Sequence, residues 1–169
     1  IGGAVNVIDR RIPHAVPPGG MRFDGVLSGD TASDLHELGG SLDLALASNV
    51  VRHADGSFRE TNDLEAPGYT LSEPLRADLL AQNNPALTAA ANQRDVLPDS
   101  ATRTKSLGTG LTWFSGLNSI GASVSYYDTL YGVPIAPDAG ESGVSIALEQ
   151  LRADLRGEFH LGDGFFDDL

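Results

Sequence analysis

Histidines and carboxylates are the residues with which this chain could bind a metal ion or transfer a proton. His53 and Asp55 are two positions apart. This spacing places both side chains on one face of a strand, where both could contact the same metal ion. His36 and Glu37 are adjacent in a predicted loop. Two ligands are too few to complete a site, so solvated surface is the alternative interpretation and no metal site is predicted.

Two short motifs resemble catalytic or nucleotide-binding sequences, and neither is complete. The run Gly140-Glu141-Ser142-Gly143 lacks the glycine that a nucleophile elbow needs two residues after serine, because Val144 stands there. The run Gly108-Thr109-Gly110 lies in a predicted strand, and Trp113 replaces the third glycine of a dinucleotide-binding loop. Catalysis needs a nucleophile, a base and an orienting group that converge. The sequence therefore predicts no enzyme, no catalytic residue and no cofactor.

Composition and charge restrict the possible partners. The formal net charge of −12 argues against nucleic-acid binding, and the absence of cysteine excludes disulfides and thiolate metal sites. Asp163, Asp167 and Asp168 could bind calcium, although a turn with interface aromatics is the alternative interpretation. The chain opens without Met and stops abruptly, so both ends are interpreted as cuts through a longer protein.

Alternation of apolar and small polar residues predicts an all-β chain. Leu107, Leu111 and Trp113 alternate with glycine and threonine, and the next segment repeats the pattern. In the last segment the apolar phase switches near Gln150, which predicts a bulge or an exit from a bilayer. Six antiparallel strands are predicted, at residues 21–31, 38–47, 50–61, 105–115, 120–127 and 144–159.

Turn lengths favour a transmembrane β-barrel over a soluble β-sandwich. Ser48-Asn49 and Gly116-Leu117-Asn118 form short turns, whereas 64–102 and 131–143 are long loops, the first with a predicted short helix within 74–91. Outer-membrane barrels have short periplasmic turns and long external loops. Strands longer than ten residues suit a tilted bilayer crossing. A soluble, acidic, secreted β-sandwich remains the alternative.

The predicted barrel assigns each strand face to an environment. Side chains expected to face lipid are Leu107, Leu111, Trp113, Ile120, Val124 and Tyr126. Those expected to face the interior are Gly108, Gly110, Gly121, Ser123 and Ser125. We expect an open, curved sheet with two free edges, and residues 1–13 only loosely attached to it.

Several segments resemble TonB-dependent outer-membrane receptors. The run Ile1-Gly2-Gly3-Ala4-Val5-Asn6-Val7-Ile8-Asp9-Arg10 resembles the end of their plug, where a Gly-Gly-x-Val-Asn-Val-Ile run recurs. The run Ser125-Tyr126-Tyr127-Asp128-Thr129-Leu130-Tyr131-Gly132-Val133-Pro134 is similar to a strand-and-loop signature of the zinc-uptake-like subgroup. Further similarities follow in the same order at 59–63, 66–69, 143–146 and 151–158. The resemblance thus covers nearly the whole chain.

The resemblance implies a plugged barrel of about 22 strands. Residues 1–13 would end the plug, 14–20 would form a hinge, and 21–169 would begin the barrel. The implied protein lies in the outer membrane of a Gram-negative bacterium, contacts its lipid, and takes up a scarce nutrient such as a metal ion, a metal chelate or siderophore, or a similar small solute. The TonB complex would energise uptake. The alternative is a binding module without transport, either a secreted β-sandwich or an adhesive surface barrel.

One departure concerns the cargo. In the zinc-uptake-like subgroup the loop after the second signature is rich in histidine and acid. Here it reads Ile135-Ala136-Pro137-Asp138-Ala139-Gly140-Glu141-Ser142, without histidine. The resemblance therefore predicts transport without identifying zinc as the cargo.

Overall fold

The fold is built around one large antiparallel sheet. A computed structural model of the chain describes residues 10–134 and 143–160. The six strands of the sheet are β1 (Met21–Asp30), β2 (Leu35–Ala47), β3 (Val50–Thr61), β6 (Thr102–Ser115), β7 (Asn118–Val133) and β8 (Val144–Glu158). Their order is β1-β2-β3-β6-β7-β8, so β1 and β8 are the edges and the sheet is open. This confirms the prediction of an all-β chain with six antiparallel strands.

Three of the six strands, β2, β6 and β7, extend beyond the predicted bounds, whereas β1 and β8 each end one residue earlier than predicted. The bounds of β3 agree with the prediction, but β6 begins at Thr102 rather than residue 105, and β7 continues to Val133. The added residues pair with each other, as Thr102 does with both Thr61 and Tyr131. Cross-strand partners satisfy the backbone N–H and C=O groups there. Local sequence pattern does not reveal such partners.

The turns divide between two rims, as the sequence predicts. The pairs Ser48-Asn49 and Gly116-Leu117 join their strands at one end of the sheet, which we call the short-turn rim. The connections 31–34 and 62–101 lie at the opposite end, the long-loop rim, where β7 ends at Val133 and β8 begins at Val144. Asp30 stabilises the first of these connections, because its carboxylate accepts hydrogen bonds from the backbone N–H and the hydroxyl of Ser33.

The longest connection folds into a small unit of its own. It contains the strand β4 (Leu64–Tyr69), the helices α1 (Glu73–Ala81) and α2 (Pro85–Ala91), and the strand β5 (Arg94–Leu97), which pairs with β4. Leu79 and Ala91 are buried in it. The Arg76 guanidinium lies 3.2 Å from the centre of the Tyr69 ring and joins α1 to β4. The sequence predicts one helix here, and the structure has two.

The two faces of the six-stranded sheet are inverted relative to an ordinary soluble sheet. Leu107, Val124 and Leu151 lie on one face, and their exposed fractions are 62%, 48% and 75%. We call this the apolar face. The other, the polar face, contains His53, Thr112 and Ser123, which are at most 5% exposed. Soluble sheets bury apolar side chains and leave polar ones in water.

The side chains of β6 and β7 are divided between the two faces as the sequence predicts. Leu107 lies opposite Tyr126, and Trp113 lies opposite Ile120, so these side chains share the apolar face. Gly110 lies opposite Ser123 on the polar face. The remaining members of both predicted sets follow the same alternation along β6 and β7.

The predicted bulge near Gln150 is wrong. Gln150 pairs with Tyr127, and the register between β7 and β8 is continuous from Val133↔Val144 to Ser119↔Glu158. Because no residue is inserted, the apolar side chains change face along β8. Ile146 lies on the polar face beside Tyr131, whereas Leu151 lies on the apolar face.

Candidate functional site

The segment that precedes β1 lies across the polar face on three glycines. A Cβ atom added at Gly108 would overlap the Arg11 side chain and the Asp55 carboxylate, and one added at Gly110 would overlap the Arg11 carbonyl. At Gly121 the added atom would lie 2.5 Å from Ile12 Cγ2. Only glycine lets the segment approach this closely. We call these three glycines the glycine seat.

Residues 11–13 are packed against the sheet rather than loosely attached. Ile12 is 8% exposed and Pro13 is buried. The expectation of a loose segment before β1 is therefore wrong for these residues, because glycines in β6 and β7 leave room for a second layer of chain. Residues 1–9, which carry the predicted plug motif, lie outside the described part of the chain.

An ion pair joins the segment to β3. The Arg11 guanidinium donates hydrogen bonds from Nη2 to Asp55 Oδ1 at 2.8 Å and from Nε to Asp55 Oδ2 at 3.0 Å. Nη2 also lies 3.3 Å from Ser106 Oγ on β6. Two parallel N–H···O bonds fix both orientation and distance. The pair therefore fixes the position of the segment along the strands.

A buried histidine holds the Asp55 carboxylate from the other side. His53 is 3% exposed, and its Nε2 atom lies 3.4 Å from Asp55 Oδ2. Its Nδ1 atom lies 2.6 Å from Asp43 Oδ1 on β2. Each ring nitrogen thus faces a carboxylate, and the four groups form a row from Asp43 on β2, through His53 and Asp55 on β3, to Arg11 in the segment. Paired and hydrogen-bonded groups of this kind are the form in which charges are tolerated away from water.

The neighbouring polar contacts, two of them ionic, are more exposed. Arg10 lies 3.7 Å from Asp24, which also accepts a hydrogen bond from Arg22 at 2.9 Å. His14 lies 3.0 Å from Arg156 on β8. These contacts extend the line of attachment toward both edges of the sheet. Exposed ion pairs contribute little, so the Arg11–Asp55 pair is the stronger attachment.

One buried hydroxyl beside the glycine seat has no hydrogen-bond partner among the described residues. Thr112 is 1% exposed and its Oγ1 atom makes no hydrogen bond. This atom would lie 2.6 Å from a Cβ added at Gly121, next to Ile12. An unpaired buried hydroxyl reduces stability by an amount of order 1–3 kcal/mol.

The structure gives His53 and His36, the two candidate metal-binding histidines, other contacts. His53 and Asp55 share a face, as predicted, but His53 is buried in the ionic row, so the interpretation as solvated surface is wrong for it. His36 lies on β2 rather than in a loop, 3.5 Å from Asp34. No group of three or more His, Cys, Asp or Glu residues that could hold a metal ion occurs within 10–134 and 143–160.

Other candidates lie in a strand or outside the described residues. Gly108 and Gly110 lie within β6, so they do not form a phosphate-binding loop. Glu141 and Ser142 of the incomplete nucleophile elbow lie outside the described residues, as do Asp163, Asp167 and Asp168.

The sequence did not reveal Arg11 or the role of the glycine seat. Gly108 and Gly110 in β6 and Gly121 in β7 lie on the strand face where small residues recur at every second position. Glycines on such a face predict a close approach of some other chain segment. The sequence does not say which segment approaches. Arg11 is 44 positions from Asp55 and 95 from Ser106, so only the fold brings them together.

Comparisons with known proteins identify no relative. No protein-family model matches this chain, and no curated protein matches it. Among the residues that the structure describes, no helix is long and apolar enough to cross a membrane.

Proposed function

We propose that this chain forms part of the wall of an outer-membrane TonB-dependent receptor, and that residues 10–13 are the end of its plug. The observation that carries the proposal is the packing of this segment on the polar face of a sheet whose other face is apolar and exposed. A plugged barrel requires this combination, with lipid on one side of the wall and the plug on the other. The resemblance of residues 1–10 to the end of such plugs supports the same interpretation.

The apolar face supports contact with lipid. It carries a groove of about 590 Å³ lined by Phe23, Leu38, Phe58 and Leu107. Gly25, Gly40 and Gly56 lie side by side across β1, β2 and β3, and Phe23, Leu38 and Leu107 are each more than 60% exposed. A soluble monomer rarely exposes an apolar surface of this extent.

Strand length and the two rims support the same proposal. The strands of the large sheet have 10, 13, 12, 14, 16 and 15 residues from β1 to β8. Crossing a bilayer at a tilt takes about 9–11 residues. The short-turn rim would lie in the periplasm and the long-loop rim outside the cell.

In this proposal the complete receptor takes up a scarce nutrient, a metal ion, a metal chelate or siderophore, or a similar small solute, and the TonB complex energises uptake through the plug. Six strands would be about a quarter of a wall of about 22 strands. The main alternative is a secreted β-sandwich. A sandwich needs a second sheet over the apolar face, and the described residues place only the small β4–β5 pair outside the large sheet.

Sidedness in intact cells tests the location. The chain has no cysteine, so single cysteines report cleanly. In the complete receptor, a membrane-impermeant maleimide should label Gln82→Cys, in the long connection, and should not label Leu117→Cys, in a short turn, until the cells are lysed. Both positions are exposed. Equal labelling of both before lysis would contradict a wall that crosses the membrane and would favour the sandwich.

Dependence on TonB tests transport. Deleting the receptor gene should slow growth in medium whose metals are limited by EDTA, because uptake against such scarcity needs energy. The part of this growth that depends on the receptor should also require TonB, so deleting both genes should reduce that part no further than deleting either one. The control is growth in metal-replete medium, which should not change. If returning the receptor gene restored growth fully in cells without TonB, the result would support a binding module without transport.

A further inference from the structure

We propose that residues 10–13 form a releasable latch, in which the Arg11–Asp55 pair locks the segment onto the glycine seat. The role of the latch in uptake rests on the proposed function, because only there is the segment the end of a plug that has to move. The latch itself is a property of the contacts between the segment and the polar face.

The lock is accessible to water. The side chains of Arg11 and Asp55 are 23% and 20% exposed, so both charges can be hydrated as they separate. A fully buried pair is costly to separate because each ion is left without water or a partner. Because water can reach both charges, the Arg11–Asp55 pair is less costly to separate than a fully buried pair. Added salt should screen the attraction between the two charges.

Asp55 stays beside the seat when Arg11 leaves. Its Oδ2 atom lies 3.4 Å from Nε2 of His53 on the same strand, and Nδ1 of that ring lies 2.6 Å from Asp43 Oδ1. These three residues belong to β2 and β3 and not to the segment. Because the sheet fixes their backbone positions, the carboxylate remains near the seat in the open state, where Arg11 can bind it again.

The seat is preformed. Gly110 and Gly121 are paired with neighbouring strands on both sides, so their backbone positions are set by the sheet. The apolar part of the contact is small, consisting chiefly of Ile12 and Pro13. We therefore expect the ion pair, as the strongest polar contact of the segment, to decide whether the segment is seated on the sheet.

The test measures the accessibility of position 12 in the complete receptor. Ile12→Cys should react with maleimide at least tenfold more slowly than Val16→Cys, because Ile12 is 8% and Val16 is 38% exposed. Adding Asp55→Asn or Arg11→Gln to Ile12→Cys should raise its rate about tenfold. The matched control is Glu37→Gln, which removes the carboxylate partner of Arg59 between β2 and β3 and should leave the rate unchanged.

Salt provides a second readout that mere loss of packing would not give. Raising NaCl should increase the rate at Ile12→Cys in the parent and have no further effect with Asp55→Asn. Arg11→Lys, which keeps the charge without the parallel bonds, should give an intermediate rate.

Three results would overturn the latch: equal rates at positions 12 and 16 in the parent, an unchanged rate with both Asp55→Asn and Arg11→Gln, or an equal increase with Glu37→Gln. Arg11→Gln leaves every strand intact, so misfolding caused by Asp55→Asn cannot hide the outcome. Failure of the proposed function would appear in the sidedness test, which does not depend on position 12.

Discussion

Val124→Arg should prevent the complete receptor from assembling in the outer membrane. Val124 lies near the middle of β7 on the apolar face and is 48% exposed. On the proposed barrel it faces the centre of the bilayer, where an arginine costs ~2–4 kcal/mol. The measurement is the yield of receptor in purified outer membranes, together with its shift between heated and unheated gel samples.

The control is Tyr127→Arg, three residues along the same strand. Tyr127 lies on the polar face, opposite Ser106 and Gln150, and is 36% exposed. An arginine there reaches polar surroundings, so assembly should be nearly normal. Ser123 would be a poorer control because it is 5% exposed beside the seat. Greater loss with Tyr127→Arg than with Val124→Arg would show that the two faces are assigned the wrong way round.

Gly110→Ala should unseat the segment and lower the stability of the receptor. The added Cβ would overlap the Arg11 carbonyl, which is backbone and cannot rotate aside. Overpacking of this kind costs ~1–3 kcal/mol. The temperature at which the folded gel band disappears should therefore fall, and Ile12→Cys should lose its protection from maleimide.

Gly40→Ala is the matched control. Gly40 lies in the middle of β2 on the apolar face, and the nearest atom to an added Cβ there is 3.4 Å away, an ordinary contact. Alanine at such a position stabilises by ~0.4–1 kcal/mol, since it restricts the unfolded chain. If both variants melted alike and kept position 12 protected, the segment would not rest on Gly110.

Local alternation was sufficient to predict the strands and their faces. Along β6 and β7 apolar side chains alternate with glycine, serine and threonine, and side chains in a strand point to opposite faces in turn. The alternation is a property of consecutive residues, so the set containing Leu107 and Val124 could be separated from the set containing Gly110 and Ser123 without knowing the fold. The same reasoning located the short turns at 48–49 and 116–118, and in the structure the second is one residue shorter because β7 begins at Asn118.

Where local pattern was ambiguous, one of two predicted alternatives was wrong. The change of apolar phase near Gln150 predicts a bulge or an exit from a bilayer, and the structure contradicts the bulge. The structure keeps the register with β7 and instead places Ile146 and Leu151 on opposite faces. The pairing of a whole neighbouring strand outweighs the preference of a few side chains, since each register step involves every hydrogen bond of the ladder.

The sequence by itself determined the fold class, the six strands, the two kinds of turn and the two kinds of face. Only the tertiary structure decided what the polar face contacts. The fold brings Arg11, from the segment that precedes β1, next to Asp43 on β2 and to His53 and Asp55 on β3. The glycines beneath these side chains come from β6 and β7. Periodicity reports which side of a strand a residue takes. It cannot report which distant segment covers that side, because such a contact depends on how the whole chain closes on itself.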